Sequence, residues 1–371
     1  MKLKKKKILL LNSSLAGGGA ESVCVSIANK FADEGWSVDL AVLNTNNETF
    51  FYRIFKSIKL ITLNVSHARY AALPLIKYIF KNKPKIILVF NYELSVILVI
   101  LRFLFRLDIK IIARNINTLS IKLRQFEDQN FWTRYIVLPL VKFCYQNVDH
   151  VVNQCHAMRD DLIHTYPKLI YNSSVIYNPI PDHIEDYTKK HDISKIKKEE
   201  YILCVGRLEK QKAFHYAIET FAKISDKFPK LRLKIIGKGN LEDKLKQKAI
   251  DCHIAQKVDF LGFQKNIIPF YLHAKATVLT SLYEGYPNVL IESIIMNTPV
   301  VSFDCPNGPA EIIKNGVNGY LVKHFDTSDL ENKLLETLKR EFNYLELKNS
   351  VKKNQIDQVF QRYEKLINFY N

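Results

Sequence analysis

Short apolar runs alternate with stretches of helical period along the whole chain. Residues 8–11, 37–43, 85–90 and 110–113 predict strands, with weaker signals at 150–152 and 174–177, and residues 21–34 predict a helix. Such β/α alternation implies a parallel sheet flanked by helices. The pattern restarts at residues 201–205, with strands predicted at 231–236, 258–261, 276–279 and 300–302 and helices at 214–227, 241–251 and 291–296. The expected fold class is therefore α/β, with two successive doubly wound domains. Their junction is expected in Asn178-Pro-Ile-Pro181 and the lysine-rich segment to Glu200, giving a first domain over residues 1–180 and a second over 181–354. Residues 355–371 are helical in pattern, with Val359, Tyr363, Leu366 and Ile367 on one stripe.

Residues 94–105 form a longer apolar run, broken by Arg102 and followed by Arg106. Two readings stand. One is a buried helix between two strands. The other is an interfacial face that dips into lipid while arginines reach back to the headgroups. The lysines and aromatics of residues 70–85 favour the second, and both hold if they concern different faces. No run reaches the roughly 18 apolar residues of a spanning helix.

A length of 371 residues exceeds the usual size of one core. Six cysteines are scattered at 24, 144, 155, 204, 252 and 305 without a Cys-x-x-Cys pair, which argues for reduced thiols in a cytosolic protein and against a zinc ribbon. No His-Glu-x-x-His and no Asp-x-Asp occurs, so no metal site is expected, and Asp160-Asp161 reads as a solvated helix face. The start, Met1-Lys-Leu-Lys-Lys-Lys-Lys7, leads into an apolar part too short for a signal peptide and reads as a basic leader before a first strand. The net charge of +17 is uneven: residues 1–150 hold 22 Lys+Arg against 10 Asp+Glu. A basic first domain attracts nucleic acid, anionic lipid or a diphosphate. No nucleic-acid motif accompanies it, so the membrane surface is the expected partner.

The densest candidate chemistry is Ser281-Leu-Tyr-Glu284-Gly285-Tyr286-Pro287-Asn288-Val289-Leu290-Ile-Glu292, which follows an apolar stretch and turns helical. Pro287 suits a first helical turn. The N–H groups of Asn288, Val289 and Leu290 would then favour a negative charge such as a diphosphate. Glu284 and Glu292 are spaced to accept hydrogen bonds from the hydroxyls of a sugar and of a ribose. A capped helix with a second acid on its face is the plain alternative. The whole string resembles the donor-site signature of retaining glycosyltransferases of family 4, which have the GT-B fold of two Rossmann-like domains facing a central cleft.

The resemblance extends over nearly the whole chain. Gly17-Gly18-Gly19-Ala-Glu21 is similar to the family's Gly-Gly-Ala-Glu loop, which touches the donor diphosphate; as bare sequence it is equally a tight strand-to-helix turn. Gly206-Arg207-Leu-Glu-Lys-Gln-Lys212 matches the Gly-Arg-Leu…Lys pattern, which implies that Arg207 and Lys212 hold the phosphates and neutralise the leaving group. Gly237-Lys-Gly239 resembles a structural turn. The segment ending in Phe263 matches the strand end beside the nucleotide base. Glu311, in Gly308-Pro-Ala-Glu311, resembles a supporting element, with a helix cap as the alternative. Many relatives carry a donor-contacting histidine after the strand at 110–113; here Ala113-Arg114-Asn115-Ile-Asn117 follows, so Arg114 or Asn115 is expected in its place, with His156 as runner-up. The implied C-terminal helix crosses back onto the first domain.

The expected activity is retaining, metal-independent and cofactor-free transfer of a sugar from a nucleotide-sugar, a UDP-hexose or UDP-N-acetylhexosamine, with Glu284, Arg207 and Lys212 central. The acceptor is expected to be a lipid-linked glycan of bacterial lipopolysaccharide, O-antigen or capsule synthesis. The location is expected to be cytoplasmic, peripheral on the inner face of the plasma membrane. A sugar-nucleotide epimerase of the same fold and a non-catalytic sugar-nucleotide-binding protein at the membrane are the alternatives.

Overall fold

The computed structural model describes residues 6–45, 50–115, 131, 134, 135 and 138–370. The first five residues of the basic leader, and Asn117, lie outside them. The chain divides into two compact units, Met1–Pro181 with Ile356–Asn371, and Asp182–Gln355.

The first unit holds strands β1 (Lys7–Asn12), β2 (Ser37–Val42), β3 (Lys59–Thr62), β4 (Ile86–Val89), β5 (Lys110–Arg114), β6 (His150–Asn153) and β7 (Ser173–Val175). They form one parallel sheet in the order β3-β2-β1-β4-β5-β6-β7. Both faces are covered, so β1 reads as an unbroken apolar run. Ile8 and Leu10 pack toward the helices Gly19–Asp33 and Ile356–Tyr370. Leu9 and Leu11 face the opposite core, built with helices Ala72–Asn82, Tyr92–Phe105 and Leu138–Tyr145.

The C-terminal helix is anchored by Val359, Phe360, Tyr363 and Ile367, all buried. Phe360 meets Phe31 edge-on at 5.1 Å. Farther along, Tyr370 donates its hydroxyl proton to the Asp149 carbonyl at 2.8 Å and lies 3.3 Å from His150 Nδ1. Ser174 Oγ sits 2.9 Å from the other ring nitrogen. A neutral ring protonated on Nδ1 satisfies all of these bonds. Burial, reinforced by Arg159, lowers the His150 pKa from 6.5 to about 4. The unfolded chain therefore binds more protons below pH 6.5, and stability is expected to fall as pH drops from 6.5 toward 4, by about 3 kcal/mol. Urea midpoints measured across that window check this; His150→Gln should flatten the acid limb.

Helix Tyr92–Phe105 starts at Asn91, whose side chain accepts from the N–H of Glu93 at 2.7 Å. Its two faces differ in exposure. Leu94, Leu98, Val99 and Leu101 are buried, whereas Phe103, Leu104 and Phe105 are exposed.

The second unit holds β8 (Tyr201–Val205), β9 (Arg232–Ile236), β10 (Val258–Phe260), β11 (Ala276–Leu279), β12 (Val300–Phe303) and β13 (Gly319–Val322). Their order is β10-β9-β8-β11-β12-β13, and every pair is parallel. The sheet reverses direction of growth between β8 and β11. Ligands of such sheets bind beyond the carboxyl ends of the strands at that reversal.

Candidate active site

Two loops leave the carboxyl ends of β8 and β11. The Leu282 N–H donates to the Gln211 carbonyl at 2.8 Å. The Gln211 side chain donates to the Tyr283 carbonyl at 2.9 Å. Thr280 Oγ1 reaches the carbonyls of Lys212 and Ala213, both at 3.1 Å. These bonds set Lys212 beside Glu284, with Nζ to Oε1 at 2.5 Å. Ser281 Oγ donates to the same oxygen at 2.6 Å. A third loop, after β12, holds the backbone: Glu284 N–H donates to the Pro306 carbonyl at 3.3 Å, and Asn307 Nδ2 to the Glu284 carbonyl at 3.2 Å. Glu284 is 7 % exposed. Both side-chain bonds fall on Oε1, and Oε2 takes none from the described residues. A buried, fixed carboxylate with one oxygen open is suited to receive a ligand hydroxyl.

Arg207 stands on the same β8 loop with its side chain 65 % exposed, 3.2 Å from Glu209. The loop is propped by the turn after β9. Gly206 N–H donates to the Ile236 carbonyl and Leu208 N–H to the Lys238 carbonyl, both at 2.9 Å. That approach requires Gly237, where a Cβ would lie 1.8 Å from the Gly206 oxygen. Gly237 therefore supports the cationic loop.

Helix Asn288–Ile295 begins one residue later than Pro287 suggested, for Pro287 is the extended cap residue at ψ 105°. The Leu290 N–H already donates to the Pro287 carbonyl at 3.1 Å, which corrects its expected role toward a ligand. The Leu290 side chain lies in the core. Tyr286 is likewise turned inward at 3 % exposure. Its hydroxyl accepts from Asn354 Nδ2 at 3.0 Å, so the side chain is committed to the protein and only the backbone is left to meet a donor. Gly285 and Pro287 are buried, and Asn288 and Val289 half-buried. Glu292 is half-buried, and its Oε2 accepts the Tyr271 hydroxyl at 3.0 Å. Burial and Glu292 hold the Tyr271 phenol well above its ordinary pKa, so it stays a donor and orients the carboxylate. Sequence reasoning missed Tyr271, which no local motif marks.

Phe263 lies just past β10 and is 44 % exposed. Glu311 is in the short helix Pro309–Ile312, capped by Gly308. Its carbonyl accepts from Lys353 Nζ at 2.6 Å. Cys305 is buried, and burial with Glu284 pushes its thiol up to about 12, which keeps it protonated. Among the described residues no three His, Cys, Asp or Glu side chains are grouped to hold a metal ion.

In the first unit, Gly17 precedes Gly18, the cap of helix Gly19–Asp33. A Cβ on Gly18 would lie 2.3 Å from Glu21 Oε2, so the acid of this loop leans over its own glycines. Arg114 departs from its expected role. It is 2 % exposed and donates to the Tyr363 hydroxyl and the Asn178 side chain. The cause is strand period: Arg114 lies two residues after Ile112, on the face covered by the C-terminal helix. Asn115 is also buried, at 5 % exposure, with its amide donating to Asn153 at 3.1 Å. His156 is exposed at the start of helix His156–Thr165.

Comparison with known proteins accords with this arrangement. Residues 186–358 match the family described as Glycosyl transferases group 1, and residues 17–183 match Glycosyltransferase Family 4. The amylovoran biosynthesis glycosyltransferase AmsD of Erwinia amylovora is 26% identical over 323 residues, 86% of each chain. The N-acetylgalactosamine-N,N'-diacetylbacillosaminyl-diphospho-undecaprenol 4-alpha-N-acetylgalactosaminyltransferase of Campylobacter jejuni is 28% identical over 200 residues, 54% of this chain and 52% of that one. The chain thus spans most of one relative and about half of the other. The crystal structure of Anabaena HepE in complex with UDP-glucose superposes at a TM-score of 0.76 with 18% identity, covering 98% of this chain and 99% of that one. With family models matched in both units and the same two-sheet fold, the chain belongs to the family-4, group-1 glycosyltransferases of GT-B type.

Proposed function

We propose that this protein transfers a sugar from a nucleotide-sugar to a lipid-linked glycan, with retention at the anomeric carbon and without a metal. The observation that carries the reading is the Lys212–Glu284 pair, fixed at the reversal point of the second sheet with Glu284 Oε2 open. Arg207 presents a planar fork to phosphate oxygens and Lys212 a point charge. Glu284 Oε2 accepts a hydroxyl of the donor sugar, and Glu292, oriented by Tyr271, a ribose hydroxyl. The anomeric carbon–oxygen bond to the diphosphate breaks while the acceptor oxygen bonds to that carbon from the same face. The acceptor proton passes to the departing phosphate, whose charge the two cations stabilise. A UDP donor is supported by the UDP-glucose complex of HepE. A lipid-diphosphate-linked acceptor in bacterial glycan synthesis is supported by the diphospho-undecaprenol acceptor of the Campylobacter relative; such an acceptor would place the reaction at the cytoplasmic membrane face. No helix of the described residues is long and apolar enough to cross a membrane.

The test is turnover of UDP-hexoses and UDP-N-acetylhexosamines with and without lipid-linked acceptor extracted from the source cells. Acceptor-dependent release of UDP, with the new linkage shown by NMR to keep the donor's anomeric configuration, is expected. Conversion to an isomeric nucleotide-sugar without acceptor, inversion, or a requirement for a divalent cation would overturn the reading.

A further inference from the structure

We infer that the face formed by helices Ala72–Asn82, Tyr92–Phe105 and Leu138–Tyr145 is a docking surface for an anionic lipid bilayer. The first of these helices packs on the second, and the second on the third. Phe80 and Phe105 join the first two edge-on at 5.9 Å. Each helix buries one side in the same core and turns large apolar side chains outward. Leu73 is 72 % exposed, Phe80 54 %, Phe103 56 %, Leu104 71 %, Leu140 48 % and Phe143 61 %. An apolar surface spread over adjacent helices of this kind marks an interaction site.

Charge selects the occupant. Leu73, Lys77, Phe80 and Lys81 recur at helical spacing along the exposed side of helix Ala72–Asn82, whose buried side carries Leu75, Ile76 and Ile79. Lys83 and Arg106 close the two neighbouring helices in the left-handed conformation, at φ 44° and 48°. Lys77, Lys81, Lys83 and Arg106 are exposed and take no ion pair from the described residues, and residues 70–85 contain no acid. Apolar side chains that enter the acyl boundary, interleaved with cations that stay at the headgroups, fit a negatively charged leaflet. The Arg102 guanidinium is committed elsewhere, to Asp149, so it belongs to the fold and not to this face. The surface gives a place to the membrane location proposed above, and its test is separate from sugar transfer.

The test is co-sedimentation of the full chain with vesicles of phosphatidylglycerol and phosphatidylcholine, and with phosphatidylcholine alone. Binding to the anionic vesicles, weakened by salt, is expected. The triple variant Leu73→Glu, Phe103→Glu and Leu104→Glu should lower the partition coefficient at least tenfold, and so should Lys77→Glu with Lys81→Glu. Far-UV circular dichroism and urea unfolding like the wild type in both variants confirm that they fold. Equal binding to neutral vesicles, or unchanged binding by both variants, would overturn the inference. So would a wild-type dimer in sedimentation velocity that the triple variant makes monomeric, since the occupant would then be a second copy of the chain.

Discussion

Arg207→Ala is expected to lower kcat by two to three powers of ten, while the unfolding free energy stays within about 0.5 kcal/mol of the wild type. The side chain is 65 % exposed, and its one ion pair is to Glu209, itself 40 % exposed. Exposed pairs of this kind contribute little to stability. Catalytic loss is expected to be large because the guanidinium acts where charge develops on the departing phosphate. Arg207→Lys keeps the charge and loses the planar fork, so it should recover only part of the rate. Steady-state kinetics beside urea denaturation separate these quantities. Wild-type turnover by Arg207→Ala would remove the phosphate role.

For Glu284 the choice of substitution decides what is measured. Glu284→Ala is expected to abolish measurable transfer and also to destabilise the protein by roughly 3 kcal/mol, because Lys212 would remain buried without its counter-charge. Glu284→Gln keeps an acceptor for the Lys212 ammonium and the Ser281 hydroxyl, so it should fold well and still lose turnover by about a hundredfold or more. Lys212→Met with Glu284→Gln removes both charges and should regain the stability that Lys212→Met alone forfeits. Full activity in Glu284→Gln would show that the carboxylate serves the fold alone.

The strands that position this site were legible because parallel strands covered on both faces read as short, nearly unbroken apolar runs, as in Ala276 to Leu279. The edge strands β3 and β13 were not. In β3 no residue is buried, so it lacks the apolar signature of the central strands. Helix Thr327–Lys339 did carry readable signals, with Asp326 capping the Asp329 N–H at 2.9 Å and Leu330 and Leu334 buried one turn apart. At the site, Arg207, Lys212 and Glu284 were legible as local strings, although the pairing of Lys212 with Glu284 depends on loops from β8 and β11 interlocking. Tyr271 was invisible, because its bond to Glu292 joins separate helices. Arg114 was misread for a different reason. A guanidinium after a strand suggests a ligand, but the two-residue period from Ile112 turns it inward, where Tyr363 and Asn178 receive it.

The return of residues 356–370 to the first sheet has a biosynthetic consequence. The second unit is an insertion within the first, so a ribosome finishes Asp182–Gln355 before the last piece of the earlier body exists. Until then the greasy patch around Phe31 and Val23 awaits Phe360 and Tyr363. A nascent chain of this layout can complete its later half first, and stalled or clipped products carry a sticky scar on the earlier one.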